Sequence, residues 1–417
     1  MTQDRALELL REGHNVLLTG PAGSGKTYVL NEFIAWAKKE GKKVAVTAST
    51  GIAATHLNGV TIHSWAGIGI KDALSEQDIG GMMQKEFLKK RFLGTDILII
   101  DEISMLHSYR LDMVDQILRL IRDRRDVPFG GIQIVLSGDF FQLPPIEKNS
   151  SKTHFAFEAA VWEEARLAVC YLDTVYRQAN DPLLQILQEI RNGEVSEALG
   201  ESLMERADVT PPDTITPTRL YTHNIDVDKQ NAQELAAIVE PVRQFQMTSF
   251  GKKQDVATLK KYCLAPEMLE LKIGAQVMFV KNNFSAGYAN GTLGTVVDFV
   301  SDAPVVQTAD GEEIVVPVES WVMEIAGAII AQVSQFPLRL AWAITVHKSQ
   351  GMTLDAVSVD LSKSFVAGMG YVALSRVRSL DGLYIVGLNR MALSVDPLVQ
   401  HFDGQFQKQS ELIAEKN

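Results

Sequence analysis

Short apolar runs alternate with segments of helical periodicity through the first third of the chain. Residues 15–19 form one such run, and residues 27–39 follow it with apolar positions three and four apart. A short apolar run predicts a buried strand, and that spacing predicts an amphipathic helix. Strands that alternate with helices in this way predict a parallel sheet with crossover helices, which is an α/β fold.

Three further apolar runs, residues 44–47, 97–100 and 132–136, each lead into polar side chains. The polar residues that follow them are Ser49, Thr50, Asp101, Glu102, Asp139 and Gln142. Because the carboxyl ends of parallel strands meet at one edge of a sheet, we expect these side chains at the edge where open α/β sheets bind ligands. Taken alone, Ser49 and Thr50 also fit a plain strand-to-helix turn.

The pattern changes between residue 274 and about residue 335. Short β-rich runs are separated there by Gly, Asn and Asp turns. This texture predicts a small antiparallel barrel.

Length and composition narrow the class of protein. A chain of 417 residues predicts about two to four domains. Hydrophobic residues at 46% and charged residues at 22% are typical of a soluble globular protein, and no apolar run is long enough to span a membrane. The first residues lack a signal-peptide pattern, and two cysteines, Cys170 and Cys263, are too few for a disulfide framework. We therefore expect a reducing, cytoplasmic compartment.

The net charge of −11 argues against a nucleic-acid partner, because phosphate contacts need Lys and Arg. Net charge is an average over the whole surface, however. A basic groove can coexist with acidic outer faces, so the charge does not exclude such a partner.

The most specific stretch lies between the first predicted strand and its helix, and it fits the spacing G-x-x-x-x-G-K-[ST] of a phosphate-binding loop. Its residues are Gly20, Pro21, Ala22, Gly23, Ser24, Gly25, Lys26 and Thr27. The glycines let backbone N–H groups approach a phosphate chain closely. Lys26 then reaches the β- and γ-phosphates, and the Thr27 hydroxyl binds Mg²⁺.

Asp101 and Glu102 follow a buried strand that should end at the same edge as this loop. We expect Asp101 to hold Mg²⁺ and Glu102 to orient and deprotonate the attacking water. This assignment predicts hydrolysis, whereas a kinase would need an acceptor site. The amide of Gln142 is placed to sense the γ-phosphate.

Several of these segments together resemble the motifs of the Pif1-like DNA helicases of superfamily 1B, the Pif1/RecD-like group. The resemblance runs in the family's order from residue 3 to about residue 388. The segments that carry it are residues 20–27, 47–54, 59–69, 101–105, 128–133, 138–145, 172–178, 343–351 and 371–378.

The resemblance implies two RecA-like P-loop lobes with an inserted SH3-like β-barrel. The limits we predict are 1–175 for the first lobe with a small wedge near 70–92, 176–270 for the first part of the second lobe, 271–336 for the barrel and 337–417 for the rest of the second lobe.

The resemblance also implies roles for single residues. Arg177 and Arg376 would stabilise charge at the γ-phosphate, Gln3 would read adenine, and Gln350 and Gly351 would face the nucleotide. The residues implied to contact DNA are Ser49, Thr50, His63, Thr345, His347 and Lys348. Trp65 is either a second aromatic platform for a base or a core residue.

The implied activity is ATP- and Mg²⁺-dependent translocation of a monomer, 5′ to 3′ along single-stranded DNA, with unwinding at junctions of single and double strands. ATP would bridge the lobes through Lys26 on one side and Arg177 and Arg376 on the other. Two alternatives stay open: a nucleotide switch that does not translocate, and a single-strand binder with a vestigial phosphate loop. The response of ATP hydrolysis to DNA discriminates among them.

Overall fold

The structure is a computed structural model, and it divides into two compact units. The first unit comprises Met1–Val209 and Leu361–Asn417, and the second comprises Thr210–Asp360. The structure describes residues 1–57, 59–69, 71–146, 152–173, 181–207, 209–212, 217–281, 283–288, 291–308, 311–325, 328–352 and 354–415.

The helices and strands follow one another in mixed order along the chain. The α-helices are α1 Gln3–Arg11, α2 Lys26–Lys39, α3 Gly51–His56, α4 Ile62–Trp65, α5 Glu76–Met83, α6 Glu86–Leu93, α7 Ser108–Ile121, α8 Ala160–Glu164, α9 Pro182–Asn192, α10 Glu197–Glu205, α11 Asn224–Ala237, α12 Lys253–Tyr262, α13 Met369–Leu374 and α14 Pro397–Ala414. The strands are β1 Val16–Thr19, β2 Val44–Ala48, β3 Val60–Thr61, β4 Ile97–Asp101, β5 Gln133–Ser137, β6 Ala168–Tyr171, β7 Thr218–Tyr221, β8 Arg243–Gln246, β9 Thr248–Gly251, β10 Met268–Leu271, β11 Gln276–Phe279, β12 Leu293–Val300, β13 Ala303–Thr308, β14 Glu313–Val315, β15 Glu319–Ile325, β16 Ala328–Gln335, β17 Leu338–Leu340, β18 Ala343–Thr345, β19 Val357–Leu361 and β20 Leu383–Leu388.

A parallel sheet forms the centre of the first unit. Its strand order is β3-β2-β4-β5-β1-β6, and Leu17 of β1 pairs with Leu136 on one side and Val169 on the other. Every residue of β1 is buried, as expected for a strand covered on both faces by crossover helices. The predicted parallel α/β fold is confirmed here, and the strands that carry the polar termini are neighbours in it.

The helices on this sheet form because their apolar positions fall on one face. In α2, Val29, Leu30, Phe33, Ile34 and Ala37 are buried and pack with β1 and α1 in one apolar cluster. Gly41 follows α2 at a φ of +72°, a left-handed conformation that costs glycine little. This core holds the strand before the phosphate loop and the helix after it in fixed positions.

The second unit combines a small parallel sheet with antiparallel strands. In the parallel part, Leu220 of β7 pairs with Ile344 of β18 and with Val359 of β19. The antiparallel part contains a five-stranded sheet in the order β14-β13-β12-β11-β17 and a three-stranded sheet in the order β15-β16-β9. The β-rich texture predicted between residues 274 and 335 is therefore confirmed as antiparallel sheet. Its closure into an SH3-like barrel and the four domain limits stay predictions.

A bulge between Val296 and Asp298 interrupts the pairing of β12 with β13. A buried cluster that includes Val277, Phe279 and Tyr288 fills the space behind this sheet, and the Phe279 and Tyr288 rings stack with centroids 4.1 Å apart. Over the residues that the structure describes, no helix has the length and apolar character needed to cross a membrane.

Candidate active site

The phosphate loop connects β1 to α2, as the sequence predicts. Gly20 has a φ of +140°, and a Cβ at this position would lie 2.2 Å from the backbone oxygen of Leu172. Gly25 precedes α2 with a φ of +88°, and no side chain caps the helix there. The glycines are thus required by backbone conformation and close packing, and the uncapped N–H groups of α2 form an anion-binding end.

Lys26 crosses back over its own loop. Its Nζ donates to the backbone oxygen of Gly20 at 2.8 Å and to that of Pro21 at 3.0 Å. Burial lowers the pKa of Lys26 from its ordinary value, and the negative charges of Asp139 and Glu102 partly oppose that effect. The ammonium group therefore lies within reach of both the loop and the carboxylates.

Asp101 is the last residue of β4, and Glu102 follows it with a φ of +51°. Burial raises the pKa of Asp101, partly opposed by the Ser137 hydroxyl. Burial and the adjacent Asp101 raise the pKa of Glu102 to about 7, although Lys26 acts in the opposite direction. Glu102 Oε2 is buried and has no hydrogen-bond partner among the described residues. A carboxylate with this pKa and an unpaired oxygen is suited to accept a proton from water.

The loop after β5 brings Gln142 to the same edge of the sheet. The Gln142 N–H donates to the backbone oxygen of Asp139 at 3.0 Å, and the side chain is 6% exposed. Its Oε1 atom also has no partner within the described part of the chain. Gly368 packs on this loop, because a Cβ there would lie 2.7 Å from the Gln142 backbone oxygen.

Arg376 lies just after α13 and is 3% exposed. Its Nε donates to the backbone oxygen of Val372 at 2.9 Å, and its Nη2 donates to Ser375 Oγ at 2.7 Å. Its positive charge lowers the pKa of Glu102, although burial and Asp101 raise that pKa more strongly. The structure thus brings Arg376 near the carboxylates, more than 270 residues away in sequence.

Two more residues of the predicted nucleotide site, Gln3 and Thr27, lie at the phosphate loop. Gln3 is the first residue of α1, and its Nε2 donates to the backbone oxygen of Ser24 in the phosphate loop at 3.2 Å. Thr27 is exposed at the start of α2. Arg177 lies outside the described residues, so its predicted role stays a prediction.

Three of the residues predicted to contact DNA belong to the first unit. Ser49 is 7% exposed and its hydroxyl donates to the Glu102 backbone oxygen at 2.7 Å. The Thr50 hydroxyl accepts from the Ala53 N–H at 3.2 Å. His63 Nε2 lies 2.7 Å from Arg110 Nη1, and burial followed by the Arg110 charge lowers the His63 pKa to about 4. The Ser49 contact connects the termini of β2 and β4. The DNA roles of the three residues stay predictions.

Trp65 is a core residue. It is 5% exposed, and its ring lies 5.0 Å from the ring of Phe92, centroid to centroid. A side chain covered to this extent has little surface on which a base could stack, so the core alternative of the two is the one observed.

The other predicted site residues belong to the second unit. Thr345 caps the following turn by accepting from the Lys348 N–H at 3.3 Å, and Lys348 Nζ donates to Asn224 Oδ1 at 2.9 Å. Burial lowers the pKa of Lys348 to about 8 and also lowers that of His347. Gln350 is buried beside Gly351, and its Nε2 has no partner among the described residues. Their roles stay predictions.

Sequence reasoning missed Arg191 and did not assign a role to Tyr371, both of which are buried beside Asp139. A signal for Arg191 was present. It follows Leu183 and Leu187 at intervals of four residues on the apolar face of α9. A charged residue on an apolar helix face is rarely buried unless it is paired.

The loop, the two carboxylates and the parallel sheet together define a phosphate-loop nucleotide-binding protein of the α/β class. Family models match at residues 4–199, described as PIF1-like helicase, and at residues 256–299, described as DNA helicase Pif1, 2B domain. The chain belongs to the PIF1-like helicase family.

Individual relatives agree with this assignment. The chain is 42% identical to the ATP-dependent DNA helicase Pif1 of Psychrobacter. The match covers 97% of this chain and 71% of the Psychrobacter protein. It is 37% identical to human ATP-dependent DNA helicase PIF1, covering 96% of this chain but 62% of the human protein. The chain therefore spans less than two thirds of the human relative.

A solved structure is similar as well. The crystal structure of a Bacteroides Pif1 helicase in complex with ADP-AlF3 and single-stranded DNA matches with a TM-score of 0.71 and 31% identity, covering 97% of this chain and 96% of that one. The predicted fold class, parallel sheets of RecA-like type with an inserted antiparallel part, is in agreement with this likeness.

Proposed function

We propose that this chain is an ATP-dependent DNA helicase that translocates 5′ to 3′ along single-stranded DNA and unwinds duplex DNA at single-strand junctions. G-quadruplex DNA is a further candidate substrate, and the activity would serve DNA replication, repair or recombination. The family membership supports the reaction class. The polarity rests on the motif resemblance alone.

The observation that carries the ATPase part of this proposal is the position of Glu102. Its buried Oε2 has no protein partner among the described residues, and its charge interacts with Asp101, Lys26 and Arg376. A buried carboxylate normally has its oxygens paired, because an unpaired one costs desolvation energy. An unpaired oxygen amid these charges therefore supports a role as general base for a water molecule.

A magnesium ion fits the donors at this site. The Thr27 hydroxyl and the Asp101 carboxylate are hard oxygen ligands, and Mg²⁺ typically takes one or two protein ligands together with water and substrate phosphates. Among the described residues no group of three or more His, Cys, Asp or Glu side chains could hold a metal ion, and this mode of binding requires none. When bound, Mg²⁺ would neutralise charge on the β- and γ-phosphates.

The remaining roles in nucleotide binding and hydrolysis would belong to residues of the chain itself. The phosphate-loop amides and Lys26 bind the phosphates, and Gln3 holds the adenine. Glu102 removes a proton from water while Gln142 orients it. The guanidinium groups of Arg376 and Arg177 stabilise the charge that develops on the transferred phosphoryl group.

We also propose how the protein works in the cell. Thr345, His347 and Lys348 would contact the DNA backbone together with Ser49, Thr50 and His63. We expect the protein to act as a monomer, as the motif resemblance implies. We also expect it to act in the cytoplasm, because the two described cysteines are buried free thiols, a state typical of a reducing compartment.

The test is the rate of ATP hydrolysis with and without single-stranded DNA, followed by unwinding of duplexes that carry a 5′ or a 3′ tail. Strong stimulation by DNA and unwinding from the 5′ tail alone is the expected result. Hydrolysis that is indifferent to DNA, with no strand separation, would instead favour a nucleotide switch. Unwinding from the 3′ tail would refute the polarity.

A further inference from the structure

A buried network in the first unit is centred on Arg191 of α9. Its side chain is 4% exposed, and its Nη1 donates to both carboxylate oxygens of Asp139, at 2.7 and 2.8 Å. The same nitrogen lies 3.1 Å from the hydroxyl of Tyr371. The other terminal nitrogen, Nη2, lies 2.9 Å from the hydroxyl of Tyr171 and 3.4 Å from Asp403 Oδ1. One guanidinium group therefore joins four elements that are distant in sequence.

Tyr371 connects this network to the phosphate loop. Its hydroxyl accepts from the Ala22 N–H at 3.2 Å and donates to Asp139 Oδ2 at 3.0 Å. Tyr371 belongs to α13, the short helix that ends directly before Ser375 and Arg376. A single hydroxyl group thus ties the loop that would bind the phosphates to the helix that carries an arginine of the candidate site.

Asp139 extends the network to Gln142. Its Oδ1 accepts from the Phe141 N–H at 3.2 Å, and its backbone oxygen accepts from the Gln142 N–H at 3.0 Å. The Arg191 guanidinium covers the same segment, with its Cζ 4.2 Å from the centroid of the Phe141 ring. The conformation of the Gln142 segment therefore depends on a carboxylate that Arg191 holds in place.

We propose that Arg191 and Tyr371 are positioning residues for ATP hydrolysis. They act through Asp139, and Tyr371 also through the Ala22 N–H, to hold the phosphate loop, Gln142 and Arg376 in one relative arrangement. The inference rests on the proposed ATPase function and deepens it. The polar atoms of the Arg191 and Tyr371 side chains form hydrogen bonds with other protein groups. Their effect should therefore fall on the geometry of the reacting groups.

The charge and the hydrogen bonds of Arg191 restrict the movement of this network. Burial favours the neutral form of Arg191, but Asp139 and the two tyrosine hydroxyls hold its pKa well above the ordinary value. The guanidinium therefore stays charged. Its orientation is fixed because Nη1 donates to both oxygens of Asp139 while Nη2 donates to Tyr171 and Asp403. A displacement of about 1 Å in catalytic groups can cost about a hundredfold in rate, so such a support is expected to show in kcat.

The test uses the full chain with Tyr371→Phe, Arg191→Lys and the double variant. Tyr371→Phe removes one hydroxyl without opening a cavity. Arg191→Lys keeps the charge but loses the second terminal nitrogen, which holds Tyr171 and Asp403. Steady-state ATPase rates are measured at saturating single-stranded DNA over a range of ATP concentrations. ATP affinity is measured separately with a fluorescent ATP analogue, which also counts the sites that bind nucleotide.

We expect each single variant to lower kcat per nucleotide-binding site about tenfold or more, with ATP affinity within about threefold of the parent. Because Arg191 and Tyr371 contact each other and share Asp139, the loss of kcat in the double variant should be smaller than the product of the two single losses. A kcat per site within twofold of the parent in both singles would overturn the proposal. Losses that multiply in the double variant would overturn it too, as would an activity loss that equals the loss of binding-competent protein.

A matched pair in the same unit provides the control. Arg206 also lies over a tyrosine ring, with its Cζ 5.6 Å from the centroid of Tyr384, the same distance as between Arg191 and Tyr371. Its guanidinium donates to the backbone oxygens of Leu383 and Asp381. Arg206→Lys and Tyr384→Phe should keep the parental kcat, since within the described part of the chain the contacts of this pair lie away from the phosphate loop, Asp139 and Gln142.

The parent protein and Lys26→Ala separate this inference from the proposed function. If the parent does not hydrolyse ATP, the proposed function is refuted, and so is the positioning role, which depends on it. If the parent hydrolyses ATP and Lys26→Ala does not, parental rates in both positioning variants would refute the positioning role alone.

Discussion

Replacing Glu102 with glutamine tests both the chemistry and the electrostatics of the site. Burial, followed by the neighbouring Asp101, raises the pKa of Glu102 from 4.5 to about 7. A rise of about 2.5 pH units corresponds to about 3 kcal/mol, at about 1.36 kcal/mol per unit. This is the energy that the ionised carboxylate costs the folded protein relative to the unfolded chain.

The sign of the pH dependence follows from the raised pKa. Between pH 4.5 and about 7, the folded protein holds the Glu102 proton while the unfolded chain has lost it, so the contribution of Glu102 to stability decreases as the pH rises. Above about pH 7 the full cost is present. The variant Glu102→Gln cannot ionise, so it should exceed the parent in stability by about 3 kcal/mol at pH 8 and by much less at pH 5.

Calorimetric melting of the nucleotide-free protein at both pH values measures this difference. For a unit of this size, about 3 kcal/mol corresponds to roughly 6 °C or more in melting temperature. Glu32→Gln, on the exposed face of α2, is the control and should change neither melting curve. Glu102→Gln should also bind ATP without hydrolysing it. An equal melting difference at pH 5 and pH 8, or parental ATP turnover, would refute the reasoning.

Three further substitutions, one of them with a control variant, test the phosphate contact, the glycine of the loop and the core of the first unit. Lys26→Ala should abolish ATP turnover, because the ammonium contact with the phosphates is lost; measurable steady-state hydrolysis would contradict the site assignment. Gly20→Ala should lower the melting temperature by several degrees or prevent folding, since its Cβ would lie 2.2 Å from the Leu172 backbone oxygen, whereas Gly404→Ala on α14 meets open space and should stabilise the helix by about 0.5–1 kcal/mol. Trp65→Ala should cost about 3–5 kcal/mol of unfolding free energy, measured by denaturant titration, as expected for a buried indole. Weakened binding of single-stranded DNA with unchanged stability would show instead that this side chain serves as a stacking platform.

The sequence by itself determined the local structure of the site. The strand, glycine loop and helix around Lys26 follow from apolar periodicity and glycine spacing, which act over fewer than thirty residues. Asp101 and Glu102 could likewise be placed at a strand terminus, because an apolar run ended there. In a parallel sheet, strand termini share an edge. These local patterns were therefore sufficient to bring the loop and the carboxylates together.

Only the tertiary structure decided which side chains support the phosphate loop and the carboxylates. The pairing of Arg191 with Asp139 and Tyr371 spans 52 and 180 residues, and no local periodicity records a contact of that separation. Packing also decided that Trp65 is interior and that Leu361–Asn417 belongs with the first unit. The physical reason is that spacing along the chain sets which face a residue occupies. Which residues pack against that face depends on how elements distant in sequence come together and on which buried charges must be neutralised.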